Sequence, residues 1–201
     1  TSLVIACMTV ALSLILAIPA GYALSKRKLP MRGFFLLLFL LPQAFPSIAV
    51  HMNIARIFYG FGLTGTIWGV MLVHAIQGLV FAVWIASASF AAIGDEQVEA
   101  ARNLGASPLR AFMTVSLPLA APGLMASAIF VFLISLDEFS GTFFVGVPDV
   151  RTLPLTMLNA ALEGNYQIAS ITALLLLVPS ILFMLFVERF LKADVLASVG
   201  K

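Results

Sequence analysis

Gln43, Ser47 and His51 recur every fourth residue in an otherwise apolar run, which puts them on one face of a helix. His74 and Gln77, three apart, share a face in another such run, and the acidic pair Asp137-Glu138 ends a third. Polar stripes in apolar helices face either a pathway or another helix, and both readings fit these residues. Asp137 and Glu138 could draw a cationic solute to the mouth of a pathway. They could equally end a helix in water or touch a soluble partner. His51 and His74 have no third ligand near them in sequence, and His51 lies far along its run, so no metal site is expected. The serines and histidines form no nucleophile-base-acid set, so no catalytic residue is assigned. Cys7, the single cysteine, sits in an apolar run and reads as a small packing residue.

Between two of the apolar runs lies a more polar stretch from Gly94 to Pro118. Asp95 and Glu96 suit a helix N-terminus, and Glu99, Ala100, Ala101, Arg102 and Leu104 are good helix formers. Gly105 reads as the C-terminal stop, Ser107-Pro108 as the start of a second short helix, and Leu117-Pro118 as its end. Val98, Ala101 and Leu104, three apart, give the first helix an apolar edge. A helix pair held between membrane helices suits a docking knob, and it also suits an amphipathic loop lying on headgroups.

The elements that must hold these groups are membrane helices. The chain is 62% hydrophobic and 10% charged, with a mean hydropathy of +1.11; soluble domains carry about 25% charged residues. Five spans are expected: about Leu3 to Leu24, Phe34 to Tyr59, Thr66 to Ala92, Leu119 to Leu136 and Ile168 to Val187. Pro42 and Pro46 should kink or break the second, and Pro179 lies in the fifth. Lys26, Arg27, Lys28, Arg32, Arg102, Arg110, Arg189, Lys192 and Lys201 fall on one side in this arrangement. That puts nine of the eleven basic residues in the cytoplasm and leaves Arg56 and Arg151 outside. The C-terminus is then cytoplasmic. An outside N-terminus would call for a preceding helix, so five spans of a native six are expected. The whole chain, 1–201, reads as one all-α transmembrane domain, with a cytoplasmic loop at about 94–118 and an outer loop at about 137–167.

The cytoplasmic segment resembles the signature loop of binding-protein-dependent ABC importer permeases: Glu-Ala-Ala, three residues, Gly, nine residues, Ile, one residue, Leu-Pro. Glu99, Ala100, Ala101, Gly105, Leu117 and Pro118 fall in register, and Val115 stands in the Ile place. The resemblance implies the type I importer permease fold and a multi-pass place in a bacterial inner membrane. It implies that Glu99 and its neighbours dock an ATPase dimer, with Gly105 making the turn. The other partners implied are a second permease subunit, a periplasmic or lipid-anchored solute-binding protein and membrane lipid, with no nucleic acid. No Gly-rich phosphate loop is present, so the chain is expected to hold no cofactor, and ATP and Mg belong to the partner ATPase.

Ser135-Leu136-Asp137-Glu138-Phe139, Thr142-Phe143-Phe144 and Thr152-Leu153-Pro154 resemble the spermidine/putrescine branch of these permeases. The implied solute is a polyamine, with iron(III), thiamine and an aminoalkylphosphonate as alternatives within the branch. An ATP-independent transporter or channel would usually carry mid-span acidic residues for ion coupling, and none is seen. An intramembrane enzyme would need a catalytic cluster that the sequence does not offer.

Overall fold

Long apolar runs without water around them must satisfy their own backbone, and they do so as helices. The computed structural model describes residues 1–26 and 30–199, and among these every regular element is helical. Arg27, Lys28 and Lys201 of the basic count lie outside the described residues, as do the side chains of Arg189 and Lys192. The order is α1 (Ser2–Lys26), α2 (Arg32–Leu40), a 3-10 turn (Leu41–Ala44), α3 (Ser47–Gly60), α4 (Ile67–Ala91), α5 (Asp95–Asn103), α6 (Pro108–Ala111), a π-turn (Phe112–Ser116), α7 (Leu117–Asp137), α8 (Ser140–Gly146), α9 (Leu153–Leu162) and α10 (Tyr166–Val199).

The centre of the fold is α1, α4 and α7. Their seam is built from small residues, as expected where lipid provides no hydrophobic drive between helices and close packing must hold them. Thr9, Ser13, Ala17 and Gly21 recur every fourth residue and are all buried on α1, facing a partner surface on α4 that includes Gly78, Ala82 and Ala86. At Gly21 the backbones approach so closely that a Cβ would lie 2.7 Å from Ala86 Cβ and 2.8 Å from the Ser87 nitrogen. Gly21→Val is therefore expected to destabilise the bundle by about 1–3 kcal/mol, as overpacking does. A lowered midpoint of thermal aggregation in detergent would report it.

Among the described residues, three helices are long and apolar enough to cross a membrane: α1, α4, and the continuous Pro108–Asp137. The second expected span is broken. Pro42 and Pro46 divide it into α2 and α3, bent by 94° across the 3-10 turn. Counted together the pair makes a fourth span or a re-entrant loop. The fifth expected span is the start of α10, whose apolar stretch among the described residues, Tyr166–Leu182, is shorter than the other spans.

Three local expectations change. Pro118 does not end a helix: α6, the π-turn and α7 run on as one, and Pro118 follows directly on the π-turn, where the ordinary helical hydrogen-bond ladder is already interrupted. The segment expected as a loop at about 137–167 carries two helices, α8 and α9. Cys7 is exposed on α1 and packs into no core.

Candidate functional site

Two places gather the polar residues, one at each end of the bundle. At one end, Gly94 leads into α5, and Asp95 and Glu96 occupy its first turn. The helix stops in a Schellman turn. Gly105 has φ +89°, its N–H donates to Arg102 O at 2.9 Å, and Ala106 N–H donates to Ala101 O at 3.1 Å. Ser107 then caps α6 by accepting from the Arg110 N–H at 3.3 Å, with Pro108 in the first turn.

This helix pair is fixed to the bundle at two points. Lys26 at the end of α1 donates to Ile93 O and pairs with Asp95 at 2.7 Å. Tyr22, Phe90 and Phe112 form an aromatic group, with Tyr22 centroids 5.3 and 4.8 Å from the other two. Between these points an open groove of about 900 Å³, lined by Tyr22, Val98, Arg102 and Leu109 among others, separates α5 and α6 from α1. Glu99 and Ala100 are exposed, Ala101 and Val98 half-buried, Gly105 and Pro118 exposed and Leu117 half-buried. Leu104 is 90% exposed, so it leaves the apolar edge that its spacing predicts and projects outward beside Leu109 (70%) and Met113 (55%). Glu99 makes no hydrogen bond or ion pair among the described residues, so its charge is free for another surface.

At the opposite end, α3, α4, α7 and α8 meet around Glu138. This carboxylate does not end a helix in water; it is only 6% exposed. It folds back over the start of α8, where Oε1 and Oε2 accept from Gly141 N–H at 2.9 and 2.8 Å and Oε2 accepts from Thr142 N–H at 3.2 Å. An acceptor just before a helix start satisfies backbone donors that have no partner inside the helix. The close fit needs Gly141, since a Cβ there would lie 2.8 Å from both Glu138 Oε2 and Val73 Cγ1.

Both histidines turn toward the same carboxylate and are fully buried. His74 Nε2 lies 3.3 Å from Oε2 and His51 Nδ1 lies 3.5 Å from Oε1. His74 is also held by Ser135 at 2.8 Å and Thr142 at 2.9 Å, and His51 by Ser140 at 2.6 Å and Gln77 at 3.4 Å. The fold thus supplies the third group that no local spacing places beside the histidines. Among the described residues no set of three such groups is arranged to hold a metal.

Beside this network opens a cavity of about 620 Å³. Its polar lining is Ser47, Gln77, Asp137, Glu138 and Ser140, against apolar residues that include Phe130 and Phe139. Asp137 is exposed here, and Glu138 shows it only a face whose oxygens are already occupied. Gln43 does not join its expected partners. It lies in the 3-10 turn before the break, so the 94° bend separates it from the face that carries Ser47 and His51. Ser135, Ser140 and Thr142 belong to the site without any periodic signal. The only hint is Glu138 standing ahead of the small residues Ser140-Gly141-Thr142, a pattern that suits an acidic cap.

The family description "binding-protein-dependent transport system inner membrane component" matches residues 3–193. The chain belongs to this family of inner-membrane permeases. It is 29% identical to the ABC transporter permease protein ORF1 of Streptomyces antibioticus, over 100% of this chain and 89% of that protein. It is 28% identical to the trehalose transport system permease protein SugB of Mycobacterium tuberculosis, over 100% and 75%. The 2-aminoethylphosphonate transport system permease protein PhnV of Salmonella typhimurium is 27% identical, over 90% and 69%. Among solved structures, a chain of the inward-facing MetNI methionine ABC transporter superposes with a TM-score of 0.73 at 17% identity, covering 96% of this chain and 92% of that one. A bacterial ABC transporter that imports alginate gives 0.61 at 20%, covering 94% and 72%. The fold is that of type I importer permeases, as the signature segment implies. The two relatives whose names give a solute belong to trehalose and 2-aminoethylphosphonate systems, so the polyamine branch inferred from the Asp137 region is not supported by them.

Proposed function

We propose that this permease passes a small ammonium-bearing solute into the cytoplasm through the cavity at Asp137. The driving energy comes from ATP and Mg bound on a separate ATPase dimer docked at α5 and α6. The observation that supports the solute class is the lining of the cavity. Asp137 is its one carboxylate with oxygens not already engaged by the protein, and the remaining polar groups are neutral. An uncompensated acidic group at the mouth of a membrane pathway favours a cation. Putrescine and spermidine meet this requirement, and so does 2-aminoethylphosphonate, the solute of the PhnV relative, whose amine accompanies its anionic group.

The assembly proposed is two permease chains above two ATPases, with a solute-binding protein on the outer face and the C-terminus of this chain in the cytoplasm. ATP binding closes the ATPases, moves α5 and α6 and turns the cavity outward. The binding protein then releases solute into it, and hydrolysis returns it inward. Motion entering at α5 and α6 reaches the bundle through Lys26–Asp95 and the Tyr22–Phe90–Phe112 group.

Uptake of labelled putrescine, 2-aminoethylphosphonate and trehalose into vesicles holding the whole transporter tests the solute class. Asp137→Asn is expected to lower uptake of the amine-bearing solute at least tenfold. Uptake of trehalose, unchanged in Asp137→Asn, would instead assign the cavity to a neutral sugar.

A further inference from the structure

The four groups that run from the cavity to Glu138, with Glu138 the last, form a chain whose direction follows from proton counting. Ser140 Oγ has one proton and gives it to Glu138 Oε1 at 2.9 Å. The 2.6 Å contact between Ser140 Oγ and His51 Nδ1 must then be made by a proton on the histidine. With Nδ1 protonated in a neutral ring, His51 Nε2 is an acceptor, and the amide Nε2 of Gln77 is the donor facing it at 3.4 Å. The order is Gln77 to His51 to Ser140 to Glu138, every member a donor to the next.

The two ends of this chain differ in what they can do. Glu138 is anchored by two backbone N–H groups and by His74, so it is the fixed end. Gln77 is half-buried, lines the cavity, and holds His51 by the longest contact of the series. His51 is the only buried residue of α3, the second half of the broken span. Its polar contacts tie α3 to Gln77 on α4 and to Ser140 on α8, beside the apolar packing of Ile54, Ala55 and Phe58.

Resting on the solute reading above, we propose that Gln77 senses the solute and that His51 relays its arrival to α3. A solute whose ammonium group sits at Asp137 and whose other end carries a hydrogen-bond acceptor competes for the Gln77 amide, and draws the side chain off its 3.4 Å contact with His51. His51 Nε2, buried and left without a donor, weakens the hold on α3, and the broken span is free to move. This assigns the cavity to a short solute with an ammonium group and an acceptor group, of which 2-aminoethylphosphonate is an example and putrescine is not.

The test uses the complete transporter in lipid nanodiscs with Cys7→Ser, and spin labels at Tyr59→Cys on α3 and Met125→Cys on α7, both exposed positions. His51→Asn keeps a donor toward Ser140 but cannot reach Gln77. It is expected to keep the narrow resting distance of the parent protein while the ratio of 2-aminoethylphosphonate-stimulated to basal ATPase activity falls at least tenfold. His51→Ala, which loses both contacts, is expected to broaden the resting distance at least twofold.

A stimulation ratio in His51→Asn within twofold of the parent overturns the relay. So does a resting distribution in His51→Ala as narrow as the parent's. Stimulation by putrescine equal to that by 2-aminoethylphosphonate overturns the acceptor requirement and leaves the ammonium reading standing. A parent protein stimulated by neither probe removes the ammonium reading, and the His51→Ala distance then decides alone whether His51 holds α3.

Discussion

Gly105→Val should abolish transport while leaving the permease inserted in the membrane. The residue sits at φ +89° in the Schellman turn, and no atom lies within 4 Å of a built Cβ, so the penalty is conformational and not a clash. A β-branched side chain at positive φ costs about 1–3 kcal/mol. That is enough to turn the local preference away from the turn, because α5 and α6 are short and receive little support from burial: of their residues only Ala111 is buried. The bundle itself, built on α1, α4 and α7, should be untouched.

The expected result is normal membrane insertion, loss of co-purification with the ATPase, and uptake reduced at least tenfold. Glu99→Lys, which reverses an exposed and unpaired charge without straining the backbone, should show the same loss of assembly. If both variants assemble fully and retain solute-stimulated ATPase activity, α5 and α6 are not the docking element.

Glu138→Ala should act at the other end and on a different quantity. It removes the acceptor for Gly141 and Thr142 N–H, for the Ser140 hydroxyl and for the donor edge of His74, all buried or half-buried. Each buried donor left unsatisfied costs about 1–3 kcal/mol, and breaking a buried charged network by removing one member costs about 3–5 kcal/mol. For a chain of this size that corresponds to roughly 10 °C in a thermal midpoint. Detergent-solubilised Glu138→Ala should therefore aggregate at a markedly lower temperature than Asp137→Asn, whose side chain is exposed. Equal midpoints for the two would mean that Glu138 does not hold α3, α4, α7 and α8 together. Separate tasks are therefore proposed for the two adjacent carboxylates, solute attraction for Asp137 and structure for Glu138.

That division was invisible from the sequence, where Asp137 and Glu138 read as one acidic pair at a helix end. Whether a carboxylate faces water or folds back over the next helix depends on the chain direction after α7 and on the small residues at 140–142 that let it approach. His51 and His74 are 23 positions apart in separate elements and 64 or more from Glu138, so no local spacing could bring them together. Gln43 shows the converse, since its four-residue spacing to Ser47 and His51 would give one face only in an unbroken helix. The break that removes it was itself legible in Pro42 and Pro46; its angle was not.

Local chemistry is what the sequence determined without help. It set the membrane character of the helices, the break at the two prolines, the Gly105 turn between two short helices, and the register from Glu99 to Pro118 that marks an ATP-driven permease. Each of these depends on backbone freedom, hydropathy or spacing within about twenty residues. Tertiary structure alone decided that the 94° bend brings His51 beside Glu138, that α8 takes the carboxylate away from solvent, and that Asp137 is left to line the cavity. Those outcomes depend on how close α3, α4, α7 and α8 approach one another, and that distance is a property of packing among distant segments.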